Sequence, residues 1–401
     1  MPGLAHLTNG PVAPFRGCDL HAREFRKTTR AVTKGRRIRV AVVYGGRSSE
    51  HEVALESAKC VLDNLDPERF DVLPIAIDKQ GAWHAQDLKQ LRASQTKALP
   101  VDHNGASVAL AARPSEEALV GASGEDARID VVFPVMHGPL CEDGSIQGLF
   151  ELADVAYVGS GVLGSAVCMD KDVAKRLVRD AGLPITEYVA VKHADWSVRA
   201  ASVREHVAKI GYPVFVKPAT LGSSVGVHRV ENPDALAAAL DDAFRYDRKA
   251  LVERAVRARE IELAVLSAID PAQPPLVSVA GEIIPKGGFY SYEHKYLDPD
   301  GAAVALPADL TPDQAARAQQ IAREAFVALE CDGMARVDLF LDRDSGELLF
   351  NEVNTIPGFT TISMYPKLWE ASGISYQDLL ARLIDLALAR RAEKSKLSRS
   401  R

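Results

Sequence analysis

Two strand-like runs on either side of a turn constrain the fold of this chain more than any other feature. The runs cover residues 335–342 and 347–354, and Arg343-Asp344-Ser345-Gly346 lies between them. Asp, Ser and Gly in this order favour a tight reversal of the chain. The pattern therefore predicts an antiparallel β-hairpin.

Chemically active side chains alternate along both predicted strands. Arg336, Asp338 and Phe340 share one face, and so do Glu352 and Asn354. If Asp338 lies opposite Glu352, this face gathers two carboxylates, an amide oxygen and a guanidinium. Oxygen ligands of this kind suit Mg²⁺, and the arginine would then lie beside a phosphate or a developing oxyanion. A register slip of one residue would break the cluster, and an ordinary surface hairpin is the alternative.

Composition restricts the class of protein. At 401 residues the chain is expected to form two or three domains. A hydrophobic content of 47% and a charged content of 25% are typical of a soluble globular protein. The net charge of −6 argues against nucleic-acid binding, and no apolar run is long enough to cross a membrane. The five cysteines lack paired spacing, which indicates a reducing cytoplasm.

Both ends of the chain are basic. Residues 1–37 contain many Arg and Lys side chains and no apolar secretory region, so we expect a disordered extension or a start assigned too far upstream. An Arg-rich transit peptide is the alternative. Residues 391–401 form a second basic tail.

The N-terminal part alternates strands and helices. Strands within residues 38–44, 70–83 and 129–138, the second of them followed by a turn, predict a doubly wound parallel sheet that extends to about residue 159. Gly45-Gly46 allow a sharp turn, after which Ser48 and Ser49 are expected to cap a helix.

Two residues at strand ends are candidates for ligand contact. Glu50 either supports the start of the helix or faces a ligand amine at the carboxyl end of the first strand. His137 follows the third apolar run and either caps a helix or contacts the ligand.

The central part contains a Gly/Ser loop between strands. A helix is predicted over 165–184 with Lys171 in its first turns, and strands are predicted at 214–217 and 225–230. The loop between these strands follows Lys217 and is not a Walker A motif, because its spacing differs and no helix follows. It is either a lid whose backbone N–H groups cover a triphosphate or an ordinary mobile hairpin.

The segments that follow offer a nucleotide slot and a second lid. A strand at 250–256 precedes a run that places Glu260 and Glu262 on one face, where a carboxylate suits ribose hydroxyls. The long connection 287–310 contains Lys295 and Tyr296 and has the length of a functional lid. A helix capped by Thr311 is predicted over 311–331.

Six motifs in fixed order identify a family. They are GGRSSEHEV, HGPLCEDGSIQG, VKPATLGSSVGV, YSYEHKY, RVDLF and NEVNTIPGFT. Together they resemble the D-alanine–D-alanine ligases of the ATP-grasp superfamily, from about Ile38 to the last helix. The resemblance implies an α/β (α+β) ATP-grasp fold behind an N-terminal doubly wound parallel-sheet domain. The implied domains are 38–159, 160–253 and 254–390.

The resemblance also implies roles for particular residues. The ATP-binding set would comprise Lys171, Lys217, Ser223, Ser224, Glu253, Arg254, Val256, Glu260, Lys295 and Asn351. The metal set, for two Mg²⁺ (or Mn²⁺) ions, would comprise Asp338, Glu352 and Asn354. The set for the two D-alanine molecules would comprise Glu50, His137, Lys295, Ser363 and Met364. The catalytic set would comprise Glu50, Ser223, Tyr296, Arg336 and Gly358.

The implied reaction joins two D-alanines through a D-alanyl phosphate for peptidoglycan precursor synthesis, and a homodimer is the usual state of the family. An EHKY lid resembles the dipeptide-forming members. Ligation to D-lactate, or by another ATP-grasp carboxylate–amine ligase, is the alternative, and a nucleotide-binding regulator without turnover is a remote one. Cys141 departs from the family pattern, which usually has Gly there.

Overall fold

The computed structural model describes residues 36–94, 96–114, 117–122, 127–285 and 302–398. The helices are α1 His51–Asn64, α2 Leu88–Ala93, α3 Ser145–Leu152, α4 Val162–Met169, α5 Lys171–Asp180, α6 His193–Ile210, α7 Leu236–Ala243, α8 Pro312–Ala328, α9 Met364–Ala371 and α10 Tyr376–Lys394. The strands of the first half are β1 Ile38–Gly45, β2 Phe70–Ile77, β3 Trp83–Ala85, β4 Ala109–Leu110, β5 Leu119–Val120, β6 Val131–Val135, β7 Ala156–Tyr157 and β8 Tyr188–Lys192. Those of the second half are β9 Val214–Pro218, β10 His228–Val230, β11 Lys249–Arg254, β12 Ala258–Leu266, β13 Leu276–Val277, β14 Gly281–Pro285, β15 Ala302–Ala305, β16 Met334–Asp342 and β17 Leu348–Asn354.

The first sheet has the order β3-β2-β1-β6-β7. Its β1, β2, β6 and β7 pair in parallel, and only β3 is antiparallel. Along β1, Val40 and Val42 enter one hydrophobic core while Ala41 and Val43 enter another. A strand buried on both faces reads as a continuous apolar run, so the predicted doubly wound parallel sheet is confirmed.

The last helix returns to this first sheet. Leu380 and Ile384 of α10 share a core with β1 and β2. Arg390 donates to the carbonyl oxygens of Tyr157 (2.8 Å) and Gly159 (2.5 Å) and lies over the Tyr157 ring at 4.4 Å. The two ends of the described chain are therefore packed as one unit.

The second sheet, β10-β9-β11-β8, is antiparallel and carries the Gly/Ser loop between β9 and β10. Helices α6 and α7 cover one face, with Val207 and Leu240 in a core against Val214 and Val252. Lys217 alternates with the core residues of β9 and reaches Asn351 Oδ1 of β17, in the third sheet, at 3.4 Å.

The third sheet contains the predicted hairpin. Its main path is β15-β14-β12-β16-β17, and β13 pairs with β12. Helix α8 packs Ile321 and Phe326 beneath Val337 and Leu339 of β16. The predicted N-cap at Thr311 is confirmed, and the structure adds a capping box in which Gln314 is the reciprocal partner.

Several local predictions were wrong. The helix expected over 165–184 is two helices, because the Asp170 side chain caps α5 and interrupts the run. The strand expected at 225–230 is only His228–Val230, since the Gly/Ser loop continues to residue 227. Ser48 and Ser49 do not cap α1; Glu50 is its N-cap residue, and its backbone N–H donates to Ser48 Oγ at 3.1 Å. Part of the predicted 287–310 connection is strand β15.

Among the helices of the described residues, none combines the length and apolar character that a membrane span requires.

Candidate active site

The hairpin β16–β17 has the register that brings its polar side chains together. Asp338 pairs with Glu352, and Arg336 pairs with Asn354. An irregularity directly after Asp338 shifts the pairing of the remaining residues. The predicted juxtaposition of the acids is thus confirmed.

Arg336 is the centre of the charged cluster. Its Nε and Nη2 donate to the two carboxylate oxygens of Asp338 at 2.8 and 2.7 Å, a bidentate pair. Its Nε also lies 3.2 Å from Glu262 Oε2 on the neighbouring strand β12. Although burial would lower the pKa of Arg336, the carboxylates of Asp338 and Glu262 raise it well above its ordinary value. This guanidinium therefore stays charged, and its contacts with Asp338 and Glu262 hold it in one orientation.

The oxygen atoms on the hairpin fit a hard divalent cation. Asn354 Nδ2 donates to Asp338 Oδ2 at 3.0 Å, which leaves the amide oxygen of Asn354 as an acceptor. Glu352 lies directly opposite Asp338. Two carboxylates and an amide oxygen are ligands that Mg²⁺ or Mn²⁺ accepts.

Lys171 connects the hairpin to the Gly/Ser loop. Its Nζ lies 3.2 Å from Glu352 Oε2 and donates to the Leu221 carbonyl oxygen at 2.7 Å. Helix α5 begins at this residue, because Asp170 accepts from the N–H groups of residues 172 and 173. A cation held here faces both the acids and the backbone of the loop.

Lys217 and Lys175 share a buried carboxylate. Glu253 is 2% exposed and lies 2.7 Å from Lys217 Nζ and 3.2 Å from Lys175 Nζ. Although burial opposes it, the two ammonium groups hold the pKa of Glu253 below its ordinary value. Lys217 Nζ also reaches Asn351 Oδ1 at 3.4 Å. Sequence reasoning missed Lys175, because one lysine in an amphipathic helix carries no signal of burial.

Glu50 contacts the Gly/Ser loop directly. Ser223 Oγ donates to Glu50 Oε1 at 2.5 Å. Ser223 and Ser224 have φ values of 54° and 58°, a left-handed pair that non-glycine residues adopt rarely. A Cβ atom on Gly138 would lie 3.0 Å from Glu50 Oε2, so this glycine makes room for the carboxylate.

His137 is buried and held by two elements. Its Nδ1 lies 3.1 Å from the Ile356 carbonyl oxygen, and its Nε2 lies 3.4 Å from Ser57 Oγ. Burial lowers the pKa of His137 and favours the neutral ring. Ser57 also accepts from the Phe359 N–H at 3.2 Å, so α1 is joined to the segment that follows β17. Ser57 was missed by sequence reasoning, since a serine inside a helix has no distinct pattern.

Glu142 is a second acid beside Glu50. It accepts from the Gly138 N–H at 2.7 Å, and burial together with the charge of Glu50 raises its pKa to about 8. It was not predicted as a site residue, although it lies in the quoted HGPLCEDGSIQG motif. Its neighbour Cys141 is buried, and a Cβ atom on Gly46 would lie 3.4 Å from the Cys141 sulfur.

Gly358, Ser363 and Met364 lie in the turn between β17 and α9. Ser363 Oγ accepts from the Thr360 N–H at 3.0 Å and lies 2.8 Å from Thr360 Oγ1. A Cβ atom on Gly358 would lie only 2.7 Å from Ser363 Oγ, so glycine is required for this approach. Met364 begins α9, where the first N–H groups have no partner within the helix.

The residues that the resemblance assigns to the adenine and ribose lie along β11 and β12. Strand β11 ends at Arg254, Val256 follows in the connection, and Glu260 lies two residues before Glu262 on the same face of β12. Lys295 and Tyr296, with the YSYEHKY motif, lie outside the described residues.

Comparison with known proteins gives consistent matches. The family model described as D-ala D-ala ligase N-terminus matches residues 39–160, and the one described as D-ala D-ala ligase C-terminus matches residues 177–385. A D-alanine–D-alanine ligase A of Bradyrhizobium diazoefficiens is 54% identical over 371 residues, which cover 90% of this chain and 98% of that protein.

Two solved structures are also similar. The D-alanine-D-alanine ligase from Coxiella burnetii is 36% identical with a TM-score of 0.78, over 90% of this chain and 96% of that one. The VanG D-Ala:D-Ser ligase from Enterococcus faecalis is 36% identical with a TM-score of 0.76, over 88% of this chain and 100% of that one. The match of the family models along both halves of the chain agrees with the six motifs and with the acid pair on the hairpin. The chain therefore belongs to the D-alanine–D-alanine ligase family.

Proposed function

We propose that this chain ligates two D-alanines to D-alanyl-D-alanine with conversion of ATP to ADP and phosphate, for peptidoglycan precursor synthesis. Membership of the family and the similarity to a D-alanine–D-alanine ligase A support this reaction. The observation that carries the proposal is the hairpin register, which sets Asp338 opposite Glu352 and Arg336 opposite Asn354.

The metal set would hold Mg²⁺ or Mn²⁺ through Asp338, Glu352 and the amide oxygen of Asn354. When bound, the metal supplies positive charge that offsets the repulsion between a carboxylate and a triphosphate. The hydrogen bond from Asn354 to Asp338 supports this assignment, because it orients the amide and one carboxylate together.

The nucleotide would lie between the second and third sheets. Lys171 and Lys217 would neutralise phosphate charge, and both already contact hairpin residues. The Gly/Ser loop with Ser223 and Ser224 would cover the phosphates. The remaining members of the proposed set are Glu253, Arg254 and Val256 at the adenine, Glu260 at the ribose, Asn351 and Lys295.

The first D-alanine would place its ammonium at Glu50, with His137 nearby. Its carboxylate attacks the γ-phosphorus of ATP, which gives D-alanyl phosphate and ADP. Lys295, Ser363 and the Met364 N–H would bind the second D-alanine, whose amine then attacks the acyl carbon and displaces phosphate. Glu50, Ser223 and Tyr296 would form the hydrogen-bonded set that closes the lid. The Glu50–Ser223 contact supports this assignment, since a closed site excludes water from the acyl phosphate.

The tetrahedral intermediate would need a cation and a backbone donor. Arg336 is already fixed by two hydrogen bonds to Asp338, so it meets a developing oxyanion without reorganisation. The Gly358 N–H would be the second donor. In the proposed domain division, 38–159 supplies Glu50, 160–253 supplies the loop and 254–390 supplies the hairpin.

The experiment is phosphate release from ATP with Mg²⁺ and a panel of D- and L-amino acids and D-lactate, with mass spectrometry of the product. Release that depends on D-alanine, with D-alanyl-D-alanine as product, is expected. Glu352→Gln should abolish most of this release, while Glu347→Gln, at an exposed hairpin position, should not. Release that depends only on an L-amino acid contradicts the proposal.

A different second substrate is the other candidate. The similarity to a D-Ala:D-Ser ligase favours D-serine as the competitor to test, and D-lactate belongs in the same panel. If the chain prefers D-serine or D-lactate to D-alanine as the second substrate, this other function is supported. The homodimer and the cytoplasmic location stay predictions.

A further inference from the structure

A second cluster of metal-ligating side chains lies in the N-terminal domain, away from the hairpin. It consists of Asp78 after β2, His84 in β3 and His103 in the loop that follows α2. We call these three residues the His/Asp cluster. Nothing in the proposed ligation reaction uses them.

Asp78 is oriented by the backbone. Its Oδ1 accepts from the N–H groups of Gln80 and Ala82, both at 2.9 Å. Its Oδ2 faces the other way and lies 3.1 Å from His84 Nε2. One oxygen of a fixed carboxylate is thus presented to the imidazoles.

His103 is also held in place, although its side chain is 64% exposed. The Gln86 side chain accepts from the Asp102 N–H at 2.8 Å and donates to the Asp102 carbonyl oxygen at 3.0 Å. This fixes the residue before His103. The His103 and His84 rings meet edge to face, with centroids 5.4 Å apart.

The three ligand atoms lie close enough together to share one cation. His103 Nδ1 lies 3.7 Å from Asp78 Oδ2, His84 Nε2 lies 3.1 Å from the same oxygen, and all three atoms lie within 4.8 Å of one another. Ligands at zinc distances of about 2.0–2.1 Å in a tetrahedron are about 3.3 Å apart. Two imidazoles and one carboxylate favour Zn²⁺ over Mg²⁺, which prefers oxygen only.

We propose that Asp78, His84 and His103 form a binding site for a zinc-class divalent cation, with a fourth position open to solvent on the side of His103. A simple hydrogen-bonded pair of Asp78 and His84 is the other explanation, but it gives no role to the third imidazole.

The site has a structural connection to the ligation centre. The Gly46 N–H donates to the carbonyl oxygen of Ile77 at 2.9 Å, and Ile77 directly precedes Asp78. Gly46 begins the turn that leads to Glu50. Zinc bound at the His/Asp cluster therefore stabilises the end of β2, to which the turn at Gly46 is hydrogen-bonded. Because zinc binds the folded chain, it also raises the melting temperature by mass action.

The test is zinc binding to the full chain after treatment with a chelator, in excess Mg²⁺ so that the oxygen ligands of the hairpin are saturated. The matched variants are His103→Ala and His206→Ala, both at exposed positions that carry no core packing. We expect one equivalent of Zn²⁺ on the wild-type chain and on His206→Ala, and an affinity at least about 10-fold weaker on His103→Ala. Zinc should raise the melting temperature of the first two proteins and not that of the third.

Two results would overturn the proposal. One is equal zinc affinity of His103→Ala and the wild-type chain, because zinc would then bind elsewhere. The other is no retained zinc on the wild-type chain after gel filtration. Since His103 is exposed, its replacement leaves the fold intact, and circular dichroism of both variants checks this.

Discussion

Ser223 Oγ lies 2.5 Å from Glu50 Oε1, although the two residues are 173 positions apart in the sequence. Glu50 starts α1 on the first sheet, and Ser223 lies in the Gly/Ser loop of the second sheet. The hydrogen bond therefore joins a proposed substrate ligand to the proposed phosphate lid. Ser223 makes this contact from a left-handed backbone conformation, with a φ of 54°.

Ser223→Ala is expected to lower kcat/KM for D-alanine by about 10- to 100-fold, since a hydrogen bond to a charged group contributes about 1.5–3 kcal/mol. Steady-state kinetics with varied D-alanine measure this. Ser202→Ala, at an exposed position of α6, is the control and should match the wild-type chain. Unchanged kinetics in Ser223→Ala would contradict the role of the contact in lid closure.

Arg336→Ala is expected to lower kcat by roughly 10²- to 10³-fold while the affinity for ATP changes much less, because the guanidinium stabilises charge that develops in the reaction. Turnover assays and nucleotide-binding titrations measure the two quantities separately. Arg317→Ala, on an exposed surface of α8, serves as the control. Equal losses of turnover and ATP affinity would contradict the oxyanion role.

Glu352→Gln is expected to raise the Mg²⁺ concentration required for half-maximal activity, because an amide is a weaker ligand for a hard cation than a carboxylate. Activity measured over a series of Mg²⁺ concentrations tests this. Glu347→Gln removes the same charge from an exposed position of the hairpin and should leave the dependence unchanged. An unaltered Mg²⁺ dependence in Glu352→Gln would refute metal ligation there.

The raised pKa of Glu142 predicts that the free energy of unfolding depends on pH. Its pKa is raised from 4.5 to about 8 in the folded chain, so between these values the unfolded chain releases a proton that the folded chain keeps. The free energy of unfolding must then fall as pH rises through this range, by up to about 1.4 kcal/mol per pH unit. Glu142→Gln removes this contribution.

Denaturant unfolding at pH 5, 6, 7 and 8 measures the difference between Glu142→Gln and the wild-type chain. We expect the variant to become progressively more stable than the wild-type chain as pH rises. A difference that is constant with pH would show that Glu142 ionises normally. Glu347→Gln is again the exposed control.

Lys175→Ala is expected to destabilise the chain by about 1–3 kcal/mol, because the buried carboxylate of Glu253 loses one of its two ammonium partners and keeps only Lys217. Lys175 is completely buried, and its second contact is the Phe350 carbonyl oxygen at 3.2 Å. Chemical denaturation measures the loss. Lys209→Ala, whose side chain is 65% exposed, should cost little, and a similar small cost in Lys175→Ala would contradict the buried-pair interpretation.

The hairpin and the parallel sheet were predictable from sequence because their signals are local. Alternation predicts that Arg336 and Asp338 share one face of their strand, and that Glu352 and Asn354 share one face of theirs. The pairing of Asp338 with Glu352 also needs the irregularity after Asp338, which shifts the register that the strands have next to the turn. Continuous apolar runs identify β1 and β6 as buried strands. Their positions at strand ends and the family motifs then predicted that Glu50 and His137 are site residues.

What escaped prediction depends on contacts between distant segments. Lys175 is buried only because Glu253 and Phe350 meet it from two other elements. The break at Asp170 depends on a side-chain cap that competes with an otherwise continuous helical pattern. The short β10 follows from a loop whose backbone turns left-handed at Ser223 and Ser224, which sequence periodicity does not report.

The packing of α10 onto β1 and β2 has a consequence for synthesis of the protein. As the chain emerges from the ribosome, residues 376–394 appear long after β1 and β2, yet Leu380 and Ile384 complete the core that Tyr44 and Phe70 begin. The apolar side chains of the first sheet thus stay uncovered until α10 has been synthesised. A nascent chain that terminates before α10 would leave this surface open to aggregation rather than release a smaller, half-active enzyme.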